Sequence, residues 1–273
     1  RKKRRESDKT KAQLFSFEKG MGQLSESLAA ILAERIQRES IIENLTAAED
    51  SCVLHYSRAV KKVKVRAKSL IFTTPAYVTA EYLRPFDEWV ARRLDDIAYA
   101  PVAVVFLGFK NRVPCRPLDG FGFLVPEIED RKILGAIWSS TIFPNRAPAS
   151  GMALTTFVGG MRQPELAEMS DVELSNLVLN ELKDLMGLAG KPDVVKLKRW
   201  QRAIPQYEVG HQKRMDAIAK FESEHPGVFI SGSFRNGISV GDCILQSESV
   251  ADKVQQFCQR SQLPAKVSEN LTV

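Results

Sequence analysis

Apolar residues recur along this chain with two periods, and the switches between them mark out its elements. Residues 36–45, 52–57, 60–67 and 70–73 are short β-branched or alternating runs, which predict four strands in succession. Lys61, Lys62, Lys64, Arg66 and Lys68 interleave with Val63, Val65 and Ala67, the pattern of a half-exposed hairpin strand. Pro75 ends the run, because proline cannot donate to a ladder. Leu24, Leu28, Ile31 and Leu32 fall on one face of an earlier helix after Gly20, and residues 77–94 read as helix broken at Pro85. Beyond Tyr99, residues 102–109, 121–125, 132–138 and 152–158 read as strands between Pro- and Gly-rich turns. Ser170-Asp-Val-Glu173 is a capping box. It opens a helix with Leu174, Leu177, Val178, Leu182, Leu185 and Met186 inward, ending near Gly187. A strand over 194–200 and a polar helix over 211–224 follow.

The stretch from Gly227 to Phe257 organises the rest. Val228 to Ile230 reads as a buried strand, and Gly232, Gly237 and Gly241 give a loop whose backbone can approach a ligand. Asp242 is placed to cap a helix carrying Cys243, Ile244, Val250, Ala251, Val254 and Phe257 at helical spacing. Strand, glycine loop and helix start together aim amides and a positive dipole end at whatever lies over the loop. An ordinary βα turn has the same spacing, so the pattern alone does not decide between them.

Composition narrows the picture. The chain has 273 residues, 44% of them hydrophobic, enough for one large domain or two smaller ones. Five of its six net positive charges sit in Arg1–Arg5, so the remainder is close to neutral and that arm reads as solvated. Cys52, Cys115, Cys243 and Cys258 show no metal-ligand spacing, and the last two lie about 22 Å apart on one helix, too far to bridge. No structural metal and no disulfide are expected, and free thiols with no signal peptide point to a reducing, cytoplasmic location. No apolar run is long enough to span a bilayer. His55, His211 and His225 have no nucleophile or paired carboxylate beside them, and there is no P-loop or GxGxxG. Redox chemistry here would need a bound cofactor.

Trp200-Gln-Arg-Ala-Ile-Pro-Gln-Tyr-Glu-Val-Gly-His211 resembles a segment of the protoporphyrinogen oxidases and of the related coproporphyrinogen oxidases, FAD enzymes of haem synthesis. Gly120-Phe-Gly-Phe-Leu-Val-Pro126, Ile133-Leu-Gly-Ala-Ile-Trp-Ser-Ser140, Phe143-Pro-Asn-Arg-Ala-Pro148, Phe157-Val-Gly-Gly160 and Gly237-Ile-Ser-Val-Gly-Asp-Cys-Ile244 look like the same family. The resemblance runs from about Leu14 to Phe257 and covers the C-terminal part of such proteins. It implies a fold that combines α+β and α/β: a discontinuous, partial FAD-binding domain and a mixed, largely antiparallel substrate-domain sheet. The boundaries expected are 1–82 and 211–273 for the first, with residues 1–12 a disordered basic arm, and 83–210 for the second.

By residue, the resemblance places Gly237, Ile238, Ser239 and Val240 against the flavin ring, Trp200 near the isoalloxazine and Ile42 at the adenine. Ser40-Ile41-Ile42 stands where such proteins have Thr-Pro-Val. Phe121, Gly122, Leu124, Ile137, Phe157 and Ile204 match positions lining an apolar slot for a porphyrinogen, although each also fits plain sheet core. Tyr207 and His211 are read as structural. The activity implied is oxygen-dependent oxidation of a porphyrinogen, with FAD as cofactor and a tetrapyrrole as substrate. No specific nucleic acid is implied. A homodimer is admitted, as is peripheral contact with the inner face of a membrane through a preceding region. The phosphate-cradling strand and helix of the family are not in this sequence, so the chain alone is expected to copurify without flavin and to be inactive. Two rivals are another amine-oxidase or desaturase-type flavoenzyme and a non-catalytic module binding through Arg1–Arg5. Two sheets are expected, a larger one over 99–200 and a smaller strand set over 36–74 packed with the C-terminal helix.

Overall fold

In the computed structural model, residues 15–48, 51–260 and 268–269 are described. The expected basic arm lies outside them. Helix α1 (Gly22–Leu32) forms where the spacing predicts, yet none of its residues is buried and Leu28 and Ile31 stay exposed. An amphipathic pattern sets the helix, but nothing among the described residues covers its stripe.

Strands β1 (Ser40–Ala48), β2 (Ser51–Arg58) and β3 (Lys61–Ala67) pair antiparallel in order, with β11 (Ser268–Glu269) added beside β3. β1 begins at Ser40, four residues later than expected, since Glu39 takes a positive φ of 59° that breaks extended pairing. The expected fourth strand, β4 (Leu70–Phe72), leaves this set and pairs in parallel with β10 (Val228–Ile230), so the described residues form three sheets rather than two. Pro75 stops β4 and starts helix α2 (Ala76–Leu83). The break at Pro85 separates α2 from α3 (Glu88–Asp95), where the Asp87 carboxylate accepts from the amides of Trp89 (2.9 Å) and Val90 (3.1 Å).

The largest sheet has five strands in the order β6 (Gly122–Leu124), β7 (Gly135–Ile137), β8 (Met152–Gly159), β5 (Tyr99–Phe109) and β9 (Val194–Pro205). A one-turn helix α4 (Ser139–Ile142) follows β7. Helix α5 (Asp171–Met186) carries the predicted capping box and ends at Gly187 with φ 68°. It buries Leu174, Val178, Leu182 and Met186 against the sheet residues Ala103, Val105, Leu107, Ala136 and Leu154. Each such side chain contributes roughly 1.5–3 kcal/mol by leaving water. Helix α6 (His211–Glu224), the one-turn α7 (Ser233–Asn236) and α8 (Val240–Arg260) complete the described chain.

Two compact units emerge. One combines the chain up to Ile36 with Pro101–Gln201, and the other combines Gln37–Ala100 with the chain from Arg202 onward. The divisions fall after 36, 100 and 201, not after 82 and 210. The reason is packing: Leu83, Val90, Leu94 and Ile97 share a core with Phe72, Met215, Ile218, Phe221, Ile230 and Phe234. A boundary at 82 would cut that core in two.

Candidate functional site

The glycine loop of the second unit is held from several sides. Gly237 adopts φ 143°, and a Cβ there would collide with the Asp242 carboxylate. The Tyr207 hydroxyl donates to the Ser233 carbonyl (2.5 Å) and accepts from the Gly237 amide (2.9 Å), bridging the two ends of α7. Burial pushes the Tyr207 phenol up, so it stays protonated and able to donate. Its ring stacks on His211 at 4.2 Å and 12°. Neither His211 ring nitrogen has an aligned partner among the described residues. Burial holds that imidazole below its ordinary value, while the Phe234 backbone pulls the other way.

Behind the loop, Arg235 forks onto Glu222 (2.6 and 2.7 Å) and onto the Ile230 carbonyl, while the Ile230 amide donates to Glu222 (2.8 Å). Gln246, the buried residue of α8, has its side-chain amide between the Gly232 carbonyl (3.3 Å) and the Asn236 amide (3.2 Å), and with its nitrogen assigned to the carbonyl side it satisfies both. These groups fix the loop before any ligand arrives.

The cap of α8 differs from expectation. Ser239, not Asp242, is the capping residue: its hydroxyl accepts from the Asp242 amide (3.0 Å) and donates to the Asp242 carboxylate (2.6 Å). Asp242 is the reciprocal partner one turn in, because the helix starts at Val240. With those groups occupied, the amides of Val240 and Gly241 have no hydrogen-bond partner among the described residues. Ile238 and Val240 lie exposed beside them. A polarised carbonyl edge set in a flat apolar ring suits this arrangement, which is the chemistry of a flavin's pyrimidine end.

The first unit presents a different surface. Register puts Leu124, Gly135, Phe157 and Val104 in one cross-strand row and Gly122, Ile137, Thr155 and Phe106 in the next. Both rows lie on the same sheet face, because strand side chains alternate. Val105, Ala136 and Thr156 on the other face are buried in the core, whereas Leu124 is 87% exposed and Phe157, Ile137, Val104 and Phe106 are half-buried. A Cβ on Gly122 would strike the Ala136 carbonyl, so that position cannot carry a side chain without parting the strands. Thr155 spends its hydroxyl on Ser139 (2.7 Å), leaving no free polar side chain on this part of the face.

The expected residues therefore separate. Gly122, Leu124, Ile137 and Phe157 converge on this face, with the exposed Phe121 preceding them at the end of β6. Trp200, 44% exposed, lies on β9 of the same unit, with the Lys198 ammonium 5.7 Å from its ring centroid. Ile204 lies past the division after Gln201, in the unit of the glycine loop. Ile42 is in that second unit too, half-buried on β1 opposite Tyr56, with a bulge just beyond it.

The sequence profile of the flavin containing amine oxidoreductases matches residues 2–255. The chain belongs to that family. Its relatives within the family include the mitochondrial protoporphyrinogen oxidase of Nicotiana tabacum, 33% identical over 89% of this chain and 51% of the relative. The coproporphyrinogen III oxidase of Bacillus subtilis (strain 168) is 30% identical over 68% of this chain and 40% of its own length. Among solved structures, a candidate protoporphyrinogen oxidase from Exiguobacterium sp. 255-15 superposes with TM-score 0.76 at 22% identity, covering 88% of this chain and 52% of that one. A putrescine oxidase bound to putrescine superposes with TM-score 0.60 at 13% identity, over 88% and 52%. At those identities the superpositions show the fold. The chain spans about half the length of the curated relatives it matches. The family is flavin-containing, and FAD is the cofactor of its fold.

Sequence reasoning singled out the loop and read Tyr207 and His211 as structural, but it did not single out Glu222, Arg235 or Gln246, which also hold the loop. Tyr207 and His211 were visible as an i, i+4 aromatic pair at the start of α6. Glu222 and Arg235 carried no local signal, since 13 residues and a strand separate them.

Proposed function

We propose that this chain supplies part of the flavin site and the macrocycle-binding face of an FAD-dependent oxidase that converts a porphyrinogen to the porphyrin. The observation that carries the reading is the wide apolar sheet face of Leu124, Ile137, Phe157, Val104 and Phe106, without a free polar group among its β6–β8 side chains. A small amine would leave most of that surface wet, whereas a flat tetrapyrrole can cover it. The chemistry FAD supplies when bound is acceptance of hydride from the macrocycle, with oxygen as the final acceptor.

This chain's own residues bind and orient. The Val240 and Gly241 amides would donate to the electron-rich edge of a bound flavin. Tyr207, Gln246 and the Arg235–Glu222 pair keep those amides in place. Leu124, Ile137 and Phe157 would exclude water from the macrocycle; Ile42 is assigned to the adenine, Trp200 to the isoalloxazine and Ile204 to the macrocycle. The cytoplasmic location, homodimer and peripheral membrane contact belong to this proposal as well.

The test is turnover by the flavin-loaded full-length protein under air. Porphyrin fluorescence should appear from protoporphyrinogen or coproporphyrinogen and no peroxide from putrescine. Oxidation of putrescine with neither porphyrinogen consumed would overturn the reading.

A further inference from the structure

A second concavity lies within the first unit, at the end of the sheet where β5 finishes and β8 begins. It is a cleft of about 390 Å³ lined by Arg112, Cys115, Arg116, Ser140, Thr141 and Pro148 among others, with no acidic residue in its walls. The two guanidinium groups make no ion pair or hydrogen bond with any described residue. Other arginines of this unit include the exposed Arg162, which donates to the Val125 carbonyl at 3.1 Å, and the half-buried Arg199, which binds Asp171 at 2.6 Å.

The walls are rigid as well as basic. In Arg112-Val-Pro-Cys-Arg-Pro117 the second arginine lies between Pro114 and Pro117, whose φ is fixed, the first lies two residues before Pro114, and Pro148 stiffens the facing loop. Backbone bonds tie the arginines to the fold, from the Arg112 amide to the Ser150 carbonyl (2.7 Å) and from the Arg116 amide to the Met186 carbonyl (2.8 Å). The Ser140 hydroxyl reaches the Ala153 carbonyl only at 3.5 Å, so its proton can turn toward the cleft at little cost. Arg112 also lowers the Cys115 thiol against the larger, upward effect of burial, which puts its charge close to the cleft wall. Ala147, Pro148 and Ser140 come from stretches quoted above for the family resemblance, yet the apolar face uses none of them.

We propose that this cleft binds a small dianion presenting paired oxygens, held by the Arg112 and Arg116 guanidinium groups with the Ser140 hydroxyl as a third donor. Planar guanidinium forks match both phosphate and carboxylate oxygens, so the shared chemistry is a compact oxyanion carried by a phosphate monoester or a dicarboxylate. Its place within one unit, built on fixed loops, suits a site that does not depend on the flavin.

Cys115 provides the reporter. Modification by the dianionic disulfide DTNB and by neutral N-ethylmaleimide is followed at Cys115 by peptide mapping, with Arg112→Gln and Arg116→Gln variants alongside. The wild-type preference for the anionic reagent should exceed that of the double variant at least tenfold. Millimolar inorganic phosphate or succinate should slow wild-type modification at least fivefold, where sodium chloride of equal ionic strength does not. Protection by phosphate alone assigns a phosphate ester, by succinate alone a dicarboxylate, and by both the shared oxyanion chemistry. Phosphorus-31 line broadening of phosphate on the wild-type protein gives an independent reading should the variants unfold. Protection equalled by chloride, or an unchanged reagent preference in folded variants, would overturn the site.

Discussion

Replacing Ser239 by alanine removes the cap of α8, where the hydroxyl both donates and accepts. The expected cost is about 1 kcal/mol, seen as a melting point lower by roughly 2–4 °C and faster amide exchange over 240–243. A resemblance that places only the Ser239 backbone at the flavin makes this substitution silent. The capping geometry makes it measurable. Gly237→Val should cost more, because φ 143° disfavours a β-branched residue and the new side chain meets Asp242. In the flavin-loaded full-length protein, FAD affinity should fall at least about tenfold, the equivalent of roughly 1.4 kcal/mol. Fluorescence titration checks this, with circular dichroism confirming the fold. His211 gives a pH dependence. Burial first of all sets its folded value below the ordinary 6.5, so near and below that pH the unfolded chain binds the proton more readily. Stability is therefore complete above 6.5 and declines as pH falls toward the lowered value. Melting curves from pH 7.5 to 5.5 should show the decline, and His211→Phe, which keeps a ring against Tyr207, should flatten it. Equal slopes would mean that His211 titrates alike in both states.

At the scale of elements, the Arg235–Glu222 pair joins the loop after β10 to α6 with both side chains largely buried, 15% and 18% exposed. Arg235→Met should destabilise by about 2–4 kcal/mol, since it strands a buried carboxylate, and Glu222→Gln in the same chain should restore part of the loss. A double-mutant cycle in urea measures both. Elements with a local cause were legible in the sequence. The capping box at Ser170, the proline after Phe72 and the strict α6 span were all set by neighbouring residues. What was not legible depended on distant partners. β4 has too few residues to declare whether it joins β3 or β10, and only packing on the Phe221 and Ile218 core decides. The helix starting at Val240 is likewise misread by a rule that counts only the residue type at Asp242, because Ser239 offers the same chemistry three positions earlier. The apolar face was visible as alternation, but which alternate face stays open needed the register of three strands.

Across the whole molecule, both units are discontinuous in sequence, but the core of the first comes from one continuous stretch. Every residue of the first core falls between Ala103 and Leu188, with Val195 and Leu197 packed against it. Residues 101–201 expressed alone should therefore fold, with dispersed amide resonances and a cooperative melt. Residues 37–100 alone should not, because Val90, Leu94 and Phe72 would lack Met215, Ile218, Phe221 and Ile230. A structured 37–100 fragment would show that the shared core matters less than its composition implies.

The parallel pairing of β4 with β10 has a consequence in time. Phe72 and its partner Ile230 are 158 residues apart, so at about 5–20 residues per second the ribosome needs roughly 8–30 s to deliver the second after the first. Throughout that interval β4 has a bare edge, and the apolar side chains of α2 and α3 wait without their cover. The inserted segment has by then emerged and can settle on its own. Ribosome-bound chains stopped between residues 201 and 228 should accordingly be the form that recruits chaperones most strongly, with release as Ile230 clears the exit tunnel.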